Sequence, residues 1–197
     1  MPTKRVRPTT DRYLWQIRVE LLDIVPHVWR RLIIPYDITL PNLHRVLQAA
    51  FAWDDCHLHQ FTFHGVNYAV PDPDPDPFVR HPPKDERRVV LHKVATPAVR
   101  AFDYLYDFGD HWHHLAIIES HRPQRSDALH VLRCVDGANA APPEDVGGLS
   151  GYARFLEAIA DRDHPEHASL LEWVGGTFEP SSFSIAEINR ALAKLNA

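Results

Sequence analysis

From Ala101 to Glu119 the apolar residues alternate on both sides of Gly109-Asp110, a pattern that fits an antiparallel hairpin with one aromatic face. Phe102, Tyr104, Tyr106 and Phe108 point one way, and Asp103, Leu105 and Asp107 the other. On the return, Trp112, His114, Ala116 and Ile118 share a face, while His111, His113, Leu115 and Ile117 take its reverse. An aromatic and aliphatic face of this kind belongs to a core, and His114 sits on it.

The same alternation marks further strands. Tyr13, Trp15, Ile17, Val19 and Leu21 fall on one face of a half-buried strand over 13–22, which Pro26 ends. A second strand follows over 28–34, too close for a crossover helix, so the two pair antiparallel. Strands are also predicted over 57–64, 67–70, 88–94 and 129–135. Between the second and third lies a helix from Thr39 to about Phe51, with Leu43, Val46, Leu47, Ala50 and Phe51 as its buried stripe. The C-terminal third reads as helices over 151–162 and 165–174, then one that starts at the capping box Ser184-Ile185-Ala186-Glu187. Strands come early and helices late, with no regular βαβ alternation. The fold class is therefore α+β: a largely antiparallel, roll-like sheet with one early helix and a C-terminal group of helices.

Length and composition bound the rest. A chain of 197 residues suits a flexible tail over 1–12 and a single domain over 13–197. Pro71-Asp72-Pro73-Asp74-Pro75-Asp76-Pro77 lacks the amide donors of a ladder and opens an exposed loop running to about Glu86. Its aspartates lack the glycine and bidentate glutamate of a calcium loop. The longest apolar runs are too short to span a bilayer, so no membrane partner is expected. Two cysteines make no disulfide framework, and no secretory signal is visible, which points to the cytoplasm. A net charge of −5 argues against a surface built for nucleic acid, although Arg30-Arg31 offers a local cationic pair for phosphates. No nucleophile elbow, Walker loop or dinucleotide glycine pattern is present.

Fourteen histidines are the compositional outlier, and imidazole is both the commonest metal ligand and a group that titrates near neutrality. His57 and His59, His114, Cys134 and Asp145 offer the ligand types of a zinc or similar divalent centre. Asp107, Asp110 and Glu144 are the candidate ligands or general bases. Tyr106, Gly109 and Trp112 complete the hairpin's candidate site. A purely structural role, with acids capping the turn and histidines bonded in the core, accounts for the same residues.

Several segments, in order, resemble the plasmid pRi ORF-3-like family. They are Val28-Trp29-Arg30-Arg31, Thr39-Leu40 with Leu43-His44, Trp53, and His57-Leu58-His59-Gln60-Phe61. Then come Tyr104, Tyr106-Asp107-Phe108-Gly109-Asp110, Trp112 and His114. The series closes with Cys134, Gly137, Pro142-Pro143-Glu144-Asp145, Gly147-Gly148, Gly151-Tyr152, Trp173 and Phe178-Glu179-Pro180. The resemblance implies an α+β roll and a place among bacterial and archaeal proteins of plasmids, mobile elements and chromosomes. It also favours His114 over His111 and His113, since the family's Asp-x-Trp-x-His pattern uses that position. Some members carry a label likening them to transposon resolvases (TnpR-like passenger proteins), but residues 1–31 contain no serine to act as such a nucleophile. Three functions follow as expectations: a binding or accessory protein with an acid, histidine and aromatic cleft for an unknown ligand; a metal-dependent hydrolase-like enzyme; and a nucleic-acid-binding module of mobile elements.

Overall fold

The computed structural model describes residues 12–74, 80–96, 100–119, 124–126 and 132–195. The expected tail over 1–12 lies outside these residues except for Arg12, and so does the middle of the proline-aspartate loop. Fourteen elements follow one another among the described residues. They are β1 (Arg12–Leu21), β2 (Trp29–Pro35), α1 (Leu40–Phe51), β3 (His59–Phe63), β4 (Val66–Ala69), β5 (Lys84–Asp85) and α2 (Leu91–Val94). Then come β6 (Ala101–Tyr106), β7 (Trp112–Ile118), β8 (Gln124–Ser126), β9 (Arg133–Ala138), α3 (Gly148–Ala160), α4 (His167–Trp173) and α5 (Ile185–Leu195).

One sheet runs in the order β5-β4-β3-β6-β7-β1-β2-β9, with β8 on β1. All of these pairs are antiparallel except β4 with β5, so the fold is α+β. The hairpin β6-β7 sits at the centre, pairing Tyr104 with His114 and Tyr106 with Trp112. Its inner face carries Phe102, Tyr104, Tyr106, Trp112, His114 and Ala116, all buried. Leu43, Val46, Leu47 and Phe51 of α1 cover that face together with Tyr152 and Phe155 of α3 and Ile188 and Leu192 of α5. The reverse face is polar: Arg31 bridges Glu119 and Asp136, and His113 meets Asp103. Alternation along each strand therefore separates a helix-covered face from a solvated one. No helix among the described residues is long and apolar enough to cross a membrane.

Three local expectations change. The 88–94 segment is not a sheet strand. Leu40 donates to the carbonyl of Val89, and Leu91 to that of Ile38, as an isolated bridge ahead of α1. Fully buried Leu91 then anchors the single turn of α2. The β-branched pair Val89-Val90 thus satisfies its backbone against one short partner rather than in a ladder. The last predicted strand, over 129–135, lies partly outside the described residues, and the observed β9 begins at Arg133. The hairpin turn spans 107–111, and Asp107 and His111, not Gly109, take the left-handed conformation, at φ 56° and 59°. Asp107 makes this possible by accepting the Gly109 amide on Oδ1 at 2.8 Å and the His111 amide on its carbonyl at 2.6 Å.

Candidate functional site

Four segments meet at the turn end of the central hairpin: the loop 53–58 after α1, the start of β3, the turn 107–111 and the loop 142–148. Side chains hold the last of these in place. Trp53 Nε1 donates to the carbonyl of Pro142 at 2.9 Å, the Asp54 amide to Glu144 Oε1 at 2.9 Å, and the Gly147 amide to Asp110 Oδ2 at 3.0 Å. Gly148 lies so close to the turn that a Cβ there would stand 2.7 Å from the Asp110 carbonyl oxygen.

Two polar groupings result. In the first, His57 Nε2 lies 3.0 Å from Asp145 Oδ1, 3.7 Å from Asp107 Oδ2 and 3.8 Å from Glu144 Oε2. His57, Asp107 and Asp145 offer donor atoms all within 4.8 Å of one another, as do Cys56, His57 and Glu144. His57 Nε2 and Glu144 Oε2 are buried without a hydrogen-bond partner among the described residues. Tyr106 donates its hydroxyl to Glu144 Oε1 at 3.0 Å and accepts the Cys56 amide at 3.2 Å. Burial, and then the bond to Glu144, raise the Tyr106 phenol far above its ordinary range, so it stays a donor. Burial also raises the Cys56 thiol.

In the second, the rings of His44 and His59 stack 3.5 Å apart, 7° from parallel. His59 Nε2 faces both oxygens of buried Glu86, at 3.0 and 3.1 Å. His44 belongs to a closed circuit in which Nε2 meets Asp55 Oδ1 at 2.6 Å and Nδ1 meets the Tyr104 hydroxyl at 2.8 Å. Gln48 closes it by donating to that hydroxyl and accepting the Asp55 amide. Burial, and then the neighbouring His59, lower His44, so Tyr104 donates to a neutral ring. His44, Asp55, His59 and Glu86 line a cavity of about 550 Å³, and His57 is part of its wall. Leu58, Val70 and Phe108 form an exposed apolar rim.

The predicted site residues divide between this region and elsewhere. His57, Asp107, Glu144 and Asp145 come together, and Tyr106 supports them. Gly109 and Asp110 serve the turn and the loop. His59 pairs with Glu86 and does not join the His57 cluster. His114 is fully buried in the core instead: Nδ1 faces the Trp112 and Tyr104 carbonyls at 3.0 and 3.2 Å, and its ring is edge-on to Phe51 and Trp53. Trp112 lies in the same core layer, with an indole nitrogen that has no hydrogen-bond partner among the described residues. Cys134 is buried on β9, where it donates to the Asp136 carbonyl and is held by Asn189. Arg30 is also buried, donating to the carbonyls of Ala50, Trp29, Ala138 and Asn139; that burial lowers it to about 10. Arg31 is paired with Glu119 and Asp136. Sequence reading overlooked His44, Asp55 and Glu86. The place of His44 beside the buried stripe of α1 was the signal available for it.

Comparison with known proteins agrees with this architecture. The uncharacterized protein y4hQ of Sinorhizobium fredii (strain NBRC 101917 / NGR234) is 38% identical over 184 residues, 92% of either chain. The crystal structure of MM3350, a protein of unknown function from Methanosarcina mazei Go1, superposes with a TM-score of 0.79 at 29% identity, covering 89% of this chain and 97% of that one. A family model matches residues 13–187, and the chain belongs to the plasmid pRiA4b ORF-3-like protein family.

Proposed function

We propose that this protein is a binding protein whose ligand enters the cavity beside the His44–His59 stack. The supporting observation is the cavity itself: about 550 Å³, with fixed polar groups on its floor and an apolar rim, which is the construction of a small-molecule site. The floor is pre-organised, because Asp55, His44, Tyr104 and Gln48 lock one another and Glu86 holds His59. Asp55, Asp72 and Glu86 face a single Arg45 among the lining residues, so the cavity favours cationic or neutral ligands with an apolar body over anions. A metal-dependent, hydrolase-like activity is the second reading, and the observation that favours it is that His57 belongs to both the cavity and the acidic cluster. The nucleic-acid reading draws no support from Arg30 and Arg31, whose guanidinium groups are engaged within the fold.

A ligand-observed NMR screen with matched cationic, neutral and anionic aromatic fragments tests the proposal. Hits should come from the first two classes and weaken when half-exposed Phe108 is replaced by Ser. An absence of hits, or hits indifferent to Phe108→Ser, would overturn it.

A further inference from the structure

The cluster around His57 has properties that hydrogen bonding within the chain does not account for. Asp107 and Glu144 each have one oxygen tied and the other presented. Asp107 Oδ1 accepts the Gly109 amide, while Oδ2 faces His57 with no hydrogen bond among the described residues. Glu144 Oε1 accepts from Tyr106 and Asp54, while Oε2 is buried and unpartnered. His57 Nε2, the atom these oxygens surround, is itself buried and unpartnered despite standing 3.0 Å from Asp145. None of Asp107, Glu144 and Asp145 has an ion pair with lysine or arginine among the described residues; the basic side chain within 4 Å of all three is His57.

We infer that His57 Nε2, Asp107 Oδ2 and Asp145 Oδ1 hold a divalent first-row transition cation, with Glu144 as the carboxylate beside it. The spacing fits. Two ligand atoms about 2.1 Å from one tetrahedral ion stand roughly 3.4 Å apart. The two aspartate oxygens lie 3.0 and 3.7 Å from the imidazole nitrogen. One imidazole with carboxylates selects zinc, manganese or iron rather than calcium, which takes oxygen ligands alone. Three protein ligands leave a coordination position open. Because His57 is also part of the cavity wall, a ligand bound in the cavity lies next to the ion. The cation site does not depend on the cavity being a binding site, and the two fail separately. Loss of fragment binding with cation binding intact would sink only the cleft reading.

The test is calorimetric titration of the full chain, purified without a metal-affinity tag and stripped with EDTA, using Zn²⁺ and Mn²⁺ with Ca²⁺ as the control. One equivalent of Zn²⁺ or Mn²⁺ should bind, and Ca²⁺ should not compete. Asp107→Asn keeps the Oδ1 acceptor and tolerates the left-handed turn, and exposed Asp145→Asn leaves the core untouched. Both, like His57→Gln, should weaken binding by at least about 100-fold, the upper end of what outer-sphere partners alone produce. Far-UV circular dichroism confirms that each variant is folded. Absence of binding to the wild type would overturn the inference, as would undiminished binding by His57→Gln. So would loss on Cys56→Ser with Asp107→Asn unaffected, which would place the ion on the Cys56 side of the ring.

Discussion

His114 occupies the histidine position of a family pattern and lies where no reagent reaches it. Both atoms facing its Nδ1 are carbonyl oxygens, so Nδ1 carries the proton and Nε2 is bare. Burial lowers the imidazole from 6.5 to about 3. The unfolded chain therefore takes up a proton below pH 6.5 that the folded chain refuses. The stability contributed by this neutral ring is complete above pH 6.5 and is lost as pH falls, at about 1.4 kcal/mol per pH unit until the folded value is reached. Replacing His114 with Phe removes a buried donor and should lower stability at pH 7 by about 1–3 kcal/mol. It should also flatten the pH dependence between 6.5 and 4, as read by urea unfolding at several pH values. An unchanged slope would show that other groups govern acid unfolding. Period-two alternation placed this ring on the core face correctly. A buried donor to two carbonyls and a ligand look the same in sequence, because both are a histidine on an apolar strand.

At the scale of elements, the β6-β7 turn and the entry to α3 act as one unit. Asp110 accepts the Gly147 amide, and the close approach of Gly148 to the Asp110 carbonyl admits no side chain. That contact brings Glu144 and Asp145 to the end of the hairpin that carries Asp107. Asp110→Ala should therefore cost about 1 kcal/mol in stability. It should also weaken Zn²⁺ binding by about tenfold, because it frees the ligand loop without removing a ligand. Thermal melting and calorimetry on one sample check both expectations. The longer helices and the central strands were legible, since their apolar spacing is local and long enough to fix a period. The turn was read around Gly109-Asp110, yet Asp107 took the left-handed role because its own carboxylate bonds to the backbone two residues on. The 88–94 segment failed as a strand for a related reason: its backbone partner, Ile38 to Leu40, is distant in sequence.

Across the whole molecule, one hydrophobic cluster runs from β1 through α1 and the central hairpin to α3 and α5. Asn189 of α5 clamps the Cys134 backbone on β9, and Leu192 is fully buried beneath the same helix. Leu192→Ala should destabilise the protein by about 2–5 kcal/mol. Helical circular dichroism and the fluorescence of buried Trp53 and Trp112 should shift together as one transition. An early helical transition alone would show that α5 melts by itself. The sequence alone determined the α+β class, the order of the longer strands and helices, the aromatic face of the hairpin and the family. The fold class, the element order and the aromatic face follow from periodicity and composition within short windows, and the family from the ordered motifs that resemble it. Only the tertiary structure decided which histidine faces the carboxylates. His57, Asp107 and Asp145 are far apart along the chain, and their meeting depends on Trp53, Asp54, Asp110 and Gly148 holding one loop against one turn. From the Tyr104-His114 stretch, Asp107 and Asp110 at the turn reach the proposed cation cluster and the loop that carries Glu144 and Asp145, while its family-pattern histidine lies in the core.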